Sequence, residues 1–164
     1  MKTTSTLQLI TLAHLSRTQG ERKTLYEIMI KTNQIFALID NPYSPGAFYP
    51  AMKSLAKVKM ININQHGCCI EPVGLAHLET LLLSQPLPGS SIGILYRLLA
   101  ANMLADTRTR SAAIKRIDIE LIKFDQKIGV ADQQAGQTGQ ALDIVRQQLG
   151  LCLRKILLDL RDGK

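Results

Sequence analysis

Apolar residues near the start of the chain recur at the spacing of one face of a helix. Leu7–Leu15 is the first such segment, and its pattern predicts a helix of about three turns. Thr24 can cap a second helix, in which Tyr26, Met29 and Ile30 are expected to face the protein interior. The pattern therefore predicts two helices in the first forty residues.

A third helix has the clearest beginning in the sequence. Pro42 ends the preceding segment, because proline disfavours the helical conformation of the residue before it. Ser44 is a favourable N-cap, and Pro45 occupies the first helical position, where its missing N–H has no helical partner to lose. One apolar stripe follows, formed by Phe48, Met52 and Leu55. These signals predict a helix over Ser44–Val58.

The pattern changes after this helix. Residues 60–64 alternate apolar and polar side chains, Gln65–Gly67 supplies turn residues, and residues 68–70 predict a return strand. A fourth helix is predicted over Leu75–Leu83. Three helices, a short hairpin and a further helix are the element order of a winged helix-turn-helix. This DNA-binding fold is predicted for residues 1–86.

Residues 87–164 are predicted to form a helical dimerisation segment, in which the sequence beyond Gly89 is typical of helices apart from a polar, glycine-rich loop over Gly129–Gly139. A first apolar stripe consists of Ile92, Leu95, Leu99 and Met103. Two longer seams follow, and their predicted dimerisation residues are Ile114, Ile117, Leu121, Phe124, Leu142, Val145, Leu149 and Ile156. Such seams, with little else to cover them, usually pack on a second copy of the chain. The predicted fold class is mainly α with a small β-hairpin, a winged helix-turn-helix domain followed by a C-terminal helical dimerisation segment.

Composition adds a basic charge and excludes several function classes. The 164 residues carry a net charge of +7, and the pI is about 9.5, which is typical of proteins that bind nucleic acid. Three cysteines lack the spacing of a zinc site or a disulfide framework, which fits a reducing compartment. Neither a secretory signal nor a bilayer-length apolar run is visible, so a cytoplasmic, nucleoid-associated protein without a membrane partner is expected. No catalytic motif or metal-ligand cluster stands in the sequence, so neither an enzyme nor a cofactor or metal is expected.

The candidate DNA-contacting residues follow from the face that the third helix turns away from its apolar stripe. That face carries Ser44, Gly46, Tyr49, Pro50, Lys53 and Lys57. Tyr49, Lys53 and Lys57 are four residues apart and share one ridge, which suits contacts to base edges and phosphates. A plainer alternative is an ordinary solvated face with Tyr49 in the core. The order of the surrounding elements favours DNA contact.

The segment Tyr43–Leu55, YSPGAFYPAMKSL, closely resembles the recognition-helix signature of PadR-type regulators. That signature is a serine-proline-glycine start, then tyrosine-proline and a leucine-rich turn. Ile70–Leu78 is similar to the family's passage from the wing to the next helix. Tyr26–Ile28 stands where the family usually has a glycine-tyrosine-glutamate stretch. The resemblance covers about residues 5–83, whereas the helical tail matches only in kind.

This resemblance implies a homodimeric repressor that binds an inverted repeat in double-stranded DNA. The third helix would enter the major groove, the wings would touch the flanking backbone, and a small-molecule effector could act through the dimer region. The DNA-contacting residues that it implies are Ser44, Gly46, Tyr49, Pro50 and Lys53.

The predicted wing departs from this pattern. Residues 62–69 contain neither Lys nor Arg, although wings of this family often carry basic residues. His66 is the candidate phosphate contact there. The uncharged wing keeps open a second hypothesis, a winged-helix module that binds another protein and has lost specific DNA binding. Cys68 and Cys69 could sense redox state, but packing is the simpler role, because adjacent residues of a strand point to opposite faces.

Overall fold

The structure is a computed structural model that describes residues 5–18, 21–37, 41–84, 91–117 and 119. Its elements, in chain order, are α1 (Thr6–Arg17), α2 (Leu25–Ala37), α3 (Pro45–Lys57), β1 (Ile61–Asn64), β2 (Gly67–Ile70), α4 (Pro72–Leu83) and α5 (Ser91–Met103). Residues 107–117 are helical as well. Over these residues, the predicted mainly helical fold with a small antiparallel hairpin is confirmed.

Helix α1 is the centre of the core. It packs against α2, α3, α4, α5 and β2, and eight of its residues are buried. Its beginning is fixed by a capping box, in which Ser5 Oγ accepts from the Gln8 backbone N–H at 3.3 Å and Gln8 Oε1 accepts from the Ser5 N–H at 3.1 Å. A helix surrounded in this way orients every neighbour that packs on it.

Helix α2 begins after Thr24 as predicted, but it buries a different face. Its buried residues are Ile28, Thr32, Ile35 and Phe36. Tyr26 is 61% exposed and Ile30 is 39% exposed, so the prediction that they face the interior is wrong, and Met29 is only half-buried. The Phe36 ring packs edge-on against Tyr43, with 4.7 Å between ring centroids, and this contact fixes the rotation of the helix.

A third segment joins the hairpin, which the alternating pattern alone did not indicate. β1 and β2 pair in antiparallel register from Ile61 opposite Ile70 to Asn64 opposite Gly67. Lys23 pairs with Cys68 on the other side of β2: the Lys23 N–H donates to the Cys68 carbonyl at 3.1 Å, and the Cys68 N–H donates to the Lys23 carbonyl at 2.7 Å. The stretch before α2 is thereby tied to the hairpin.

Helix α4 starts at Pro72, three residues before the predicted Leu75, because proline at the first helical position needs no N–H partner. Gly74 packs directly on the backbone that leads into β1. A Cβ at Gly74 would lie 2.2 Å from the Met60 carbonyl oxygen, which also accepts from the Glu71 N–H at 2.9 Å. Only glycine fits this contact between α4 and the hairpin.

Helix α5 packs against α1 and is buried over most of its length. Leu95, Leu99 and Met103 of its predicted stripe are buried, whereas Ile92 is exposed. The Arg97 guanidinium is buried and donates to the Leu81 carbonyl near the end of α4. The last carbonyls of a helix lack helical partners and favour a cation, so Arg97 caps α4.

The chain divides into two compact units, Met1–Ile114 and Lys115–Lys164, and α5 belongs to the first. The predicted boundary between residues 86 and 87 stays a prediction. Of the predicted dimerisation residues, Ile117 is already fully buried in a single copy of the chain and Ile114 is half-buried. The others lie outside the described residues: Leu121, Phe124, Leu142, Val145, Leu149 and Ile156.

Replacing Gly74 with alanine is expected to lower the free energy of unfolding by at least about 2 kcal/mol, because the new Cβ would overlap the Met60 carbonyl. Gly46→Ala is the matched control, since the nearest atom there is Ser44 Oγ at 3.7 Å. This control should leave the stability unchanged or raise it by up to about 1 kcal/mol. Urea unfolding measures both, and equal effects would contradict the assigned contact.

The protein is expected to lose stability as the pH falls below about 6.5. Burial lowers the pKa of His14 below its ordinary value of 6.5, and Arg17, Lys31 and Lys23 lower it further. The unfolded chain binds a proton that the folded protein excludes, so acidification through this range favours unfolding. Urea unfolding at about pH 8 and about pH 5.5 measures the loss.

His14→Gln should remove part of this pH dependence. Part of the pH dependence of stability is expected to remain in this variant, because burial also lowers the pKa of His77. An unchanged pH dependence in His14→Gln would show that His14 is not responsible.

Candidate nucleic-acid interface

Helix α3 has one buried face, which is the one predicted. Phe48 and Met52 are fully buried and Leu55 is 2% exposed. Ser44 caps the helix, its Oγ accepting from the Ala47 N–H at 3.3 Å, and the helix runs to Lys57 with Val58 as its C-cap. Both ends lie within one residue of the prediction. Packing of this buried face against the core therefore directs the opposite face of α3 outward.

Every candidate DNA-contacting residue of the third helix lies on this outward face and is exposed. They are Ser44, Gly46, Tyr49, Pro50, Lys53 and Lys57. Tyr49 is 36% exposed, and its ring stands edge-on to Phe48 with 5.7 Å between centroids. Tyr49 therefore lies at the surface, not in the core, with one side of its ring supported by a buried neighbour.

The lysines of this region are available to an anion. Lys53, Lys57 and Lys59 are exposed, and none makes an ion pair with a residue that the structure describes. Lys59 adopts a left-handed conformation with φ of 57°, just after the C-cap of the helix. Three cations that form no ion pair with a described carboxylate favour the approach of an anion to the end of α3.

Pro50 lies inside α3 without ending the helix. It has no N–H to donate to the carbonyl of Gly46, four residues earlier, and its ring crowds that turn. Pro50 is itself exposed, on the same face as Tyr49 and the lysines.

Asn33 holds the beginning of α3, a role that the sequence pattern did not predict. Its Nδ2 donates to the Tyr43 carbonyl at 2.9 Å, and its Oδ1 accepts from the Tyr43 N–H at 2.9 Å. One amide thereby satisfies both backbone groups of the residue before the cap. An asparagine within an otherwise helix-favouring segment was the only signal, and it does not reveal its partner.

The tip of the hairpin is polar and exposed. Asn64 Oδ1 accepts from the His66 N–H at 2.9 Å, and the side chains of Gln65 and His66 lie 3.2 Å apart at their nitrogens. His66 is exposed, as a phosphate contact requires. Arg22 also reaches this tip, its Nη1 lying 3.5 Å from the Gly67 carbonyl oxygen. Nothing in the sequence pattern predicted this cation at the hairpin.

The two adjacent cysteines differ in burial. Cys68 is fully buried, and burial raises the pKa of its thiol to about 11, whereas Cys69 is half-buried. A thiol with so high a pKa stays protonated near neutral pH and is a poor nucleophile and metal ligand. These observations support the packing role for Cys68.

Within the described part of the chain, no group of three or more His, Cys, Asp or Glu side chains is placed to hold a metal ion. None of the described helices combines the length and the apolar character needed to cross a membrane. No family model, curated protein or solved structure matches this chain.

Asn33→Ala is expected to lower the free energy of unfolding by about 1–2 kcal/mol, because two partly buried hydrogen bonds to Tyr43 are lost. The backbone amide of Tyr43 should also exchange faster with deuterium. Gln34→Ala is the matched control, since Gln34 is the exposed neighbour on α2. If both variants unfold at the same urea concentration, the hydrogen bonds between Asn33 and Tyr43 do not stabilise the start of α3.

Proposed function

We propose that the protein is a sequence-specific, DNA-binding transcription regulator with a winged helix-turn-helix fold, in which α3 lies in the major groove. One observation carries this proposal: α3 is fixed by a fully buried face and presents an exposed ridge of Tyr49, Lys53 and Lys57. The order of the elements supports it as well. In a winged helix-turn-helix, the second helix of the motif is the recognition helix and the wing follows it, and α2, α3 and the hairpin have this order.

The size of α3 and the side chains on its outward face suit the major groove of DNA. A helix with its side chains is about 10–12 Å wide, and the major groove of B-DNA is about 12 Å wide. Residues near the N-terminus of a recognition helix meet base edges, which is the position of Gly46 and Tyr49. Lys53 and Lys57, further along, are suited to phosphate oxygens or to guanine.

The proposed regulator is a homodimer on an inverted repeat. A two-fold axis would place two copies of α3 in successive major grooves, about 34 Å apart. The long apolar seams in the sequence after residue 114 supply the pairing surface in this proposal. A dimer that occupies such a site at a promoter excludes other proteins from it, so we propose a repressor.

A second candidate function is a module that binds another protein. Tyr26 and Ile30, one turn apart on α2, are 61% and 39% exposed, and an exposed aromatic beside an aliphatic side chain is typical of protein contacts. The hairpin segment 62–69, which lacks Lys and Arg, fits this candidate as well. The DNA-binding proposal is preferred because it also accounts for the exposed lysines of α3, which form no ion pair within the described part of the chain.

Selection from a random double-stranded DNA library, followed by fluorescence anisotropy against salt concentration, tests the proposal. Lys53→Ala should weaken binding to all sequences and reduce the salt slope by about 0.9 for each protomer that loses a phosphate contact. Tyr49→Ala should also change the selected sequence. Arg108→Ala, which removes an exposed cation at the start of the helical residues 107–117, is the control and should retain the wild-type sequence preference.

Absence of any selected sequence at moderate salt would refute the DNA-binding proposal. The second candidate would be favoured if a protein partner bound in a fixed ratio, lost affinity with Tyr26→Ala, and did not respond to Lys53→Ala.

A further inference from the structure

The stretch before α2 contributes to the hairpin surface, although it lies 45 positions from the hairpin tip in sequence. Two backbone hydrogen bonds join Lys23 to Cys68, at 3.1 and 2.7 Å. Gly67, at φ of 118°, lets the two segments touch, since a Cβ there would lie 2.8 Å from the Lys23 carbonyl oxygen and 3.3 Å from Arg22 Cβ. The backbone immediately after Arg22 is therefore held against β2.

The charged side chains of this stretch have different partners. Lys23 Nζ lies 2.7 Å from Glu21 Oε2, so these two charges largely neutralise each other toward a distant anion. Arg22 is exposed and faces no carboxylate in an ion pair with a described residue. Its contact to the Gly67 carbonyl is 3.5 Å long, at the outer limit for a hydrogen bond. Arg22 is thus the cation of this stretch that an incoming anion can recruit.

We propose that Arg22 binds a DNA phosphate beside the hairpin, so that the cation missing from residues 62–69 is supplied by the segment that pairs with β2. This inference rests on the proposed function and adds a binding residue to it. A guanidinium can donate two parallel hydrogen bonds to a phosphate, and such charged pairs are stronger than a bond to a neutral carbonyl. Leaving the Gly67 carbonyl for a phosphate is therefore favourable.

Two further polar side chains lie at the same end of the hairpin. His66 and Gln65 are exposed at the tip and bring side-chain N–H groups to the same end of the hairpin as the Gly67 carbonyl. The backbone of Arg22 is fixed by the Lys23–Cys68 pairing, so only the side chain has to reorient. A contact of this kind adds affinity and register without reading sequence.

Arg22→Gln is expected to reduce the salt slope of DNA binding by about 0.9 for each protomer and to weaken binding about two- to tenfold. Arg22→Lys, which keeps the charge, should retain the salt slope while losing part of the affinity. The double variant Glu21→Gln/Lys23→Gln is the matched control, because it removes a pair whose charges cancel, and the salt slope is expected to stay close to that of the wild type. The DNA sequence selected by all three variants should match that of the wild type.

Phosphate ethylation interference locates the contact. In the wild-type complex, ethylation of a phosphate that flanks the base pairs contacted by α3 should impair binding. In Arg22→Gln, ethylation of this phosphate should no longer matter, whereas interference at the other phosphates should remain. Glu21→Gln, which releases Lys23, should tighten binding and steepen the salt slope. Urea unfolding should be nearly unchanged for Arg22→Gln, since its side chain is exposed.

The outcomes separate this inference from the function on which it rests. If the wild-type protein selects no DNA sequence, the proposed function fails. If the wild type binds selectively but Arg22→Gln keeps both its salt slope and its ethylation pattern, DNA binding stands and the role of Arg22 is refuted.

Discussion

Burial of α1 among four helices and β2 is the constraint on which the other elements depend. Its apolar residues occupy nearly all sides, so each neighbour must turn an apolar face toward it. α5 meets this requirement with a side chain series that is buried almost continuously, and α3 meets it with a single stripe. Because α3 buries one stripe only, its polar face must point outward. The candidate interface is a geometric consequence of the core.

Local polar contacts convert this coarse orientation into a defined one. Ser44 fixes where α3 begins, and Asn33 holds the backbone of Tyr43 immediately before that cap. Tyr43 is in turn packed against Phe36, so the turn into α3 is held by an amide and by a ring together. A helix that reads DNA loses less entropy on binding when its position is set beforehand.

Local signals were sufficient for some elements and not for others. The bounds of α3 could be predicted within one residue, because a serine cap directly before it, a proline at its first position and one apolar stripe are all local signals. The face of α2 could not. Two stripes compete there, and the one that contains Phe36 is buried because its ring meets Tyr43 and Tyr96, the latter sixty positions away. Periodicity identifies a helix but does not choose between two apolar faces.

The charge of the hairpin shows the same limit and bears on function. Residues 62–69 contain neither Lys nor Arg, so the hairpin tip looks uncharged when only neighbouring residues in the sequence are considered. Folding adds Arg22 through the pairing of Lys23 with Cys68, and it also removes a charge, because Glu21 neutralises Lys23. What a phosphate meets is the sum of the cations left unpaired on one surface, irrespective of the segment from which they come. An uncharged hairpin sequence therefore does not exclude a contact between the hairpin surface and the DNA phosphate backbone.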